Sequence, residues 1–301
     1  MLTANVVTIV ILARGKCGLS RCIKLYLLNM AAADLLVLTF DVILYQLNEL
    51  YFPESFLNYT VAHSLTFFLH FASIECSVWL TVAFTFDRFA AICFQTIRRK
   101  YCRQNTAIIF VTMIWGLSIL QNLPIYFTFE PCFVIDNISW HCILKSSFYS
   151  VPLWVAFLWL DTVLLSFTPF LFILILNFLT IRHILFSNKI RMAMQSSNSD
   201  PEMEHRRKSI MLLLLISFSF ILLWMVTFIH YICVQITEVQ YLHTDNNDPF
   251  TIMERTGYML QDLSSCINTF IYAISQMKFR ERLKCIFRHF FVPFRKVFKY
   301  I

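Results

Sequence analysis

The sequence predicts an all-α membrane protein, a seven-transmembrane helix bundle with its first helix truncated at the outer end and a short cytoplasmic amphipathic helix at the C-terminus. Three observations predict it. Of the 301 residues, 58% are hydrophobic and only 14% charged, and the mean hydropathy is +0.64; soluble chains carry about 25% charged residues. Runs long enough to cross a bilayer recur along the whole chain. The basic residues fall almost entirely on one side of those runs.

The runs occupy roughly 25–47, 63–93, 105–128, 152–186, 208–236 and 252–276, each bounded by a charged or Asn/Ser-rich stretch. Met1 to Ala13 is apolar but short for a span, and without a charged leader or small-residue cleavage site it does not read as a signal peptide. It is read as the inner half of a first span, which makes the chain either a fragment or a damaged paralogue. Two regions follow: a receptor-like membrane domain over 1–276, and a cytoplasmic helix and tail over 277–301. No internal repeat is visible, which argues against a transporter built from inverted halves.

Twenty-three of the 25 lysines and arginines lie on one side of this arrangement, and only Lys145 and Arg255 lie opposite. The positive-inside rule makes the rich side cytoplasmic and the N-terminus extracellular, with the plasma membrane as the expected location. Two sequons, Asn58-Tyr59-Thr60 and Asn137-Ile138-Ser139, then fall outside, where Asn58 and Asn137 become expected glycosylation sites. The basic inner face accounts for the net charge of +7 and suits anionic lipid and an acidic cytosolic partner; no nucleic acid is needed. Four glycines leave no material for a phosphate-binding loop, and no Ser/His/Asp, Cys/His or metal-ligand spacing emerges, so the chain is not read as an enzyme and no cofactor is expected beyond an allosteric ion.

Polar residues inside spans are costly and mark function. Asp34 is mid-span; Asp87-Arg88-Phe89 ends the third span; Trp115 and Pro124 mark the fourth, Pro169 the fifth, Phe220 and Trp224 the sixth; Asn268-Thr269-Phe270-Ile271-Tyr272 closes the seventh, followed by Phe279-Arg280. In order and spacing this set resembles the rhodopsin-like (class A) G-protein-coupled receptors. Within that class, Arg14 to Ser20, Ser77 to Phe89 and Asp200 to Glu204 are similar to the orphan group named probable G-protein coupled receptor 139.

The resemblance implies a receptor that passes binding of an unknown extracellular small aromatic molecule or peptide to a heterotrimeric G protein. Asp87, Arg88, Asn268 and Tyr272 would serve G-protein coupling, with Arg88 meeting the α-subunit's C-terminal helix. Asp34, Ser77, Ser264 and Asn268 would line a sodium pocket; the alternative for Asp34 is plain hydrogen bonding between helices. His70, Ile74, Trp159, Asp161, Trp224, Phe228, Tyr231, Tyr258 and Asp262 would form the ligand pocket. His70 stands where amine receptors carry an aspartate, and the seventh span has no lysine for a retinal, so neither of those classes is expected. Cys285 would be open to palmitoylation.

The family pattern also breaks. His63 stands where the third helix usually offers a cysteine, and Cys132 and Cys142 are the two extracellular cysteines, so a small Cys132–Cys142 loop bridge is expected. Val226 and Thr269 replace usual prolines, Asn177 replaces a tyrosine, and Arg206 stands at a position often acidic, with Glu202 and Glu204 displaced nearby. Asn5 matches the family's first-helix asparagine. These departures keep a second reading open, a non-signalling decoy paralogue.

Overall fold

The computed structural model describes residues 2–14, 19–94, 104–148, 150–193, 201–237 and 248–297. Helix α1 is Leu2–Arg14, α2 runs Arg21–Tyr51, α3 Thr60–Cys93 and α4 Gln104–Phe127. Helix α5 comprises Pro152–Thr162, a π segment Val163–Phe167 and Thr168–Ala193; α6 is Pro201–Thr237, α7 Pro249–Ser275 and α8 Met277–Val297. Five of these, α2 to α6, are long and apolar enough to cross a membrane. Helix α1 is shorter, and α7 carries Glu254, Arg255 and Asp262 among its apolar residues.

Local chemistry sets the ends. Ser20 caps α2 by accepting from the Ile23 amide. Pro152 and Pro249 open α5 and α7, where a missing N–H costs nothing. Two π segments, Thr39–Leu47 in α2 and Val163–Phe167 in α5, interrupt otherwise regular helices. Each inserted residue turns the outer part of its helix by about 100° relative to the inner part. That turn carries Asp41 into the bundle, where it is buried.

The core has two storeys. The lower one joins Leu12, Leu27, Met30, Leu80, Phe84, Leu213, Ile216, Tyr272 and Phe279, so it gathers α1, α2, α3, α6, α7 and α8. The upper one centres on Ile74, Val78, Leu165, Ile173, Phe220 and Trp224. Large side chains such as Leu120, Phe178 and Phe218 point outward, as helices dissolved in lipid allow. Tight approach substitutes for hydrophobic drive between α6 and α7. A Cβ on Gly257 would stand 2.9 Å from Thr227 Oγ1 and 3.3 Å from Thr227 Cα. Gly257→Val is therefore expected to force the two helices apart at a cost of about 1–3 kcal/mol, read as a lower unfolding midpoint in nanodiscs.

The loop between α4 and α5 folds into two small antiparallel sheets. Strand β1 (Phe129–Glu130) pairs with β4 (Ile143–Leu144), and β2 (Phe133–Ile135) with β3 (Ile138–Trp140). Asp136 and Asn137 both take positive φ, 49° and 62°, which is what a two-residue hairpin turn of this hand requires. The loop docks on the start of α3: the His141 amide donates to Asn58 O, Thr60 Oγ1 donates to His141 O, and the Tyr59 and Trp140 rings meet edge to face.

The structure bears on two sequence expectations. Cys132 and Cys142 are free thiols and the expected bridge is not formed. Cys142 Sγ is instead engaged with Thr60 O at 3.5 Å and Ser64 Oγ at 3.6 Å, and burial pushes its thiol pKa up, which keeps it a donor. Asn58 does not suit a glycan: it is 2% exposed, its Nδ2 donates to Phe52 O and Pro53 O, and its Oδ1 accepts from Asn48. Asn137, at the exposed hairpin tip, has no such commitment. Asn137→Gln is expected to abolish the glycosidase-sensitive gel shift, and a shift that survives it and vanishes in Asn58→Gln would reverse this assignment.

The expectations for Arg206, Glu202 and Glu204 concern side chains outside the described residues. So do Arg98 to Arg103 after α3 and the loop 238–247 between α6 and α7. Helix α7 ends at Ser275 and α8 begins at Met277, with Cys285 exposed on it.

Candidate functional site

Polar side chains line up through the bundle from its middle to its inner end. Asp34, on α2, is 1% exposed; its Oδ1 accepts from Ser77 Oγ of α3 at 2.5 Å and its Oδ2 from Asn268 Nδ2 of α7 at 2.9 Å. One carboxylate thus ties three helices. Above it lies a cavity of ≈ 10 Å³ whose lining includes Ser264, Ser265, Gln261, Phe220 and Trp224. A single water needs about 10–15 Å³, so the space suits one small guest. The four residues expected around an ion are all brought together here. The carboxylate and the Ser77 and Ser264 hydroxyls are hard oxygen donors that fit a small cation. Asn268 presents its amide hydrogens to Asp34 and so orients the carboxylate. The set lacks the three His, Cys, Asp or Glu ligands of a transition-metal site, and no such group exists among the described residues.

Helix α1 is stapled to α7 beside this cavity. Asn5 Nδ2 donates to Ser265 O at 2.8 Å, and Thr8 and Thr269 share a hydroxyl hydrogen bond. Trp115 Nε1 donates to Asn29 Oδ1, tying α4 to α2. Trp224 stacks on Phe220 with ring centroids 5.2 Å apart.

Near the C-terminal end of α3, Asp87 and Arg88 form a buried ion pair, with Arg88 Nε donating to Asp87 Oδ2 at 3.0 Å and Nη2 closer still. Cys22 Sγ of α2 donates to the other oxygen at 3.2 Å. Tyr272 is buried against Phe279, and its hydroxyl has no hydrogen-bond partner among the described residues. That hydroxyl is held off water with its bonding capacity unused, as a group that changes partner between two states would be.

The residues expected in one upper pocket separate into groups. Trp159, Phe228 and Tyr231 line a crevice of ≈ 150 Å³ between α5 and α6, with Ser166 and Phe167 from the π segment. Phe170 stacks on Phe228 at 4.9 Å, and Ser166 Oγ, in the π segment, is buried with no hydrogen-bond partner among the described residues. Ile74 and Trp224 line the Asp34 cavity instead. His70 and Asp262 join Asp41: His70 Nε2 is 4.0 Å from Asp41 Oδ1, Gln46 donates to Asp41 Oδ2, and Asp262 lies against Asp41 from α7. Asp161 faces Glu75 and Gln121, and Glu75 accepts from Asn122 of α4. Tyr258 turns to Glu254. Among the described residues, those expected in one pocket thus fall around the α5–α6 crevice, the Asp34 cavity and two carboxyl clusters, with Tyr258 beside Glu254.

Asp41, Glu75, Asn122 and Cys22 complete these groups and were missed from sequence. An ionisable residue inside a span is a signal in itself, and Asp41 and Glu75 carry it.

Comparison with known proteins bears on the whole arrangement. The family described as 7 transmembrane receptor (rhodopsin family) matches residues 4–272. Neuropeptide receptor 22 of Caenorhabditis elegans is 31% identical over 125 residues, which cover 41% of this chain and 29% of that protein. The similarity thus spans less than a third of that relative's length.

Proposed function

The chain belongs to the rhodopsin family of seven-transmembrane receptors, a family of signalling receptors and not of enzymes, and on that premise we propose that it passes binding of an extracellular ligand to a heterotrimeric G protein. The observation that carries the reading is the Asp34 network: one carboxylate joins α2, α3 and α7 directly beneath Trp224, so movement above it is felt by three helices. At the inner end, Asp87 holds Arg88, and Arg88 is the group offered to the G protein. An always-charged fork suits the free carbonyls at a helix end. Asn268 and Tyr272, one turn apart on α7, link the two levels.

The basic side of the chain is placed in the cytosol and the N-terminus outside, at the plasma membrane. Sodium at Asp34, Ser77 and Ser264 would favour the resting arrangement by linkage. The ligand is read as a small aromatic molecule or peptide end carrying a basic group. The α5–α6 crevice supports the aromatic part, since a dry cavity of about 150 Å³ takes a benzene ring. The Asp41/Asp262 and Glu75/Asp161 clusters support the basic part. A neuropeptide receptor among its relatives is consistent with a peptide. Likeness in Arg14 to Ser20 and Ser77 to Phe89 supports a place beside the orphan group named above. The exposed thiol of Cys285 on α8 suits palmitoylation.

The test is G-protein dissociation in cells expressing this chain, basal and with tryptophan or phenylalanine added. Signal above vector, lost in Arg88→Ala at unchanged surface level, is the expected result. Full surface expression with no signal under any condition would favour the decoy reading.

A further inference from the structure

Asp87 is held from two sides. Its Oδ2 takes the Arg88 guanidinium, and its Oδ1 takes the thiol of Cys22 from the first turn of α2 at 3.2 Å. Cys22 is 3% exposed and Asp87 and Arg88 are 6% exposed, so all three are largely withdrawn from solvent. A thiol is a weak donor, but to a buried carboxylate it supplies a bond that solvent cannot replace. The Ser20 cap fixes the turn on which Cys22 sits.

We propose that Cys22 is a positioning residue of the arginine switch: its thiol clamps Asp87, and so Arg88, to the inner end of α2. The inference rests on the G-protein reading above and extends it to a residue outside the motif. Two consequences follow. Removing the thiol loosens Asp87 and raises basal signalling. Conversely, removing the Asp87 carboxylate takes this acceptor from Cys22 and makes its thiol more reactive toward an alkylating probe.

The experiment uses the full chain in inside-out membrane vesicles treated with N-ethylmaleimide, with labelling at each cysteine read by mass spectrometry. Exposed Cys285, freed of any acyl group with hydroxylamine beforehand, serves as the reactive reference and buried Cys76 as the unfolding control. Cys22 is expected to label slowly in the wild type and about tenfold faster in Asp87→Ala, the factor a hydrogen bond to a charged group is worth. If Cys76 labels as well, the variant has unfolded, and the milder Asp87→Asn supplies the comparison. In parallel, Cys22→Ala is expected to raise basal G-protein signal several-fold, and Cys22→Ser, which keeps a donor, to restore it. Labelling unchanged by loss of Asp87 overturns the clamp, as does equal signalling from the Ser and Ala variants. Faster labelling with no signal from any variant upholds the clamp and defeats the receptor reading instead.

Discussion

Asp34→Ala is expected to lower stability by about 2–6 kcal/mol, because the half-buried Ser77 hydroxyl and the buried Asn268 amide each lose their acceptor and each stranded group costs about 1–3 kcal/mol. The variant removes a carboxylate shared by α2, α3 and α7. In nanodiscs the unfolding midpoint should fall by roughly 5–15 °C, at a few degrees per kcal/mol. Asp34→Asn, which keeps one carbonyl acceptor and a similar shape, should fall less. The same pair of variants tests the ion. Replacing potassium by sodium at constant ionic strength should raise the wild-type midpoint, since a ligand of the folded state stabilises it by mass action, and should leave Asp34→Ala unmoved. A wild type indifferent to the exchange would reduce Asp34 to a hydrogen-bond hub. A midpoint unchanged by Asp34→Ala would mean that the network contributes nothing to the fold.

Ser64→Cys should act in the opposite direction. Ser64 Oγ lies 3.6 Å from Cys142 Sγ, so a thiol at that position sits beside a partner already in place. The resulting disulfide would close a loop between residues 78 apart in sequence and stabilise by about 2–4 kcal/mol. The check is a cross-linked peptide by mass spectrometry without reductant, with a midpoint rise that dithiothreitol abolishes. Two free thiols at these positions would show that the Cβ vectors diverge too far for the bond.

Much of the architecture was legible in the sequence because a bilayer imposes a coarse and strong code. Apolar length sets spans and charge sets sides, so the runs at 63–93 and 252–276 anticipate α3 and α7 closely. Asp34 was legible for the same reason, as a costly polar group in an apolar run, whereas its grouping with Ser77, Ser264 and Asn268 came from the resemblance to class A receptors and not from the run itself. Facing was harder. The π segment in α2 turns Asp41 inward, and no average over a hydropathy window registers one inserted residue. The upper residues therefore divide between clusters that only the helix rotations define. The Asn58 sequon is a second instance, since a motif specifies an enzyme's substrate but not whether the amide nitrogen is already bonded. Cys22 shows a third limit: a thiol's role is set by the carboxylate it meets 65 residues later.

The outer loop is seated on α3 by the Asn58, Thr60 and Cys142 contacts and by the Tyr59–Trp140 ring pair, all of them non-covalent. None of these contacts needs an oxidant to form. Cell-free synthesis into nanodiscs with reductant present throughout should therefore yield the same outer face, without isomerases or a redox buffer to be tuned.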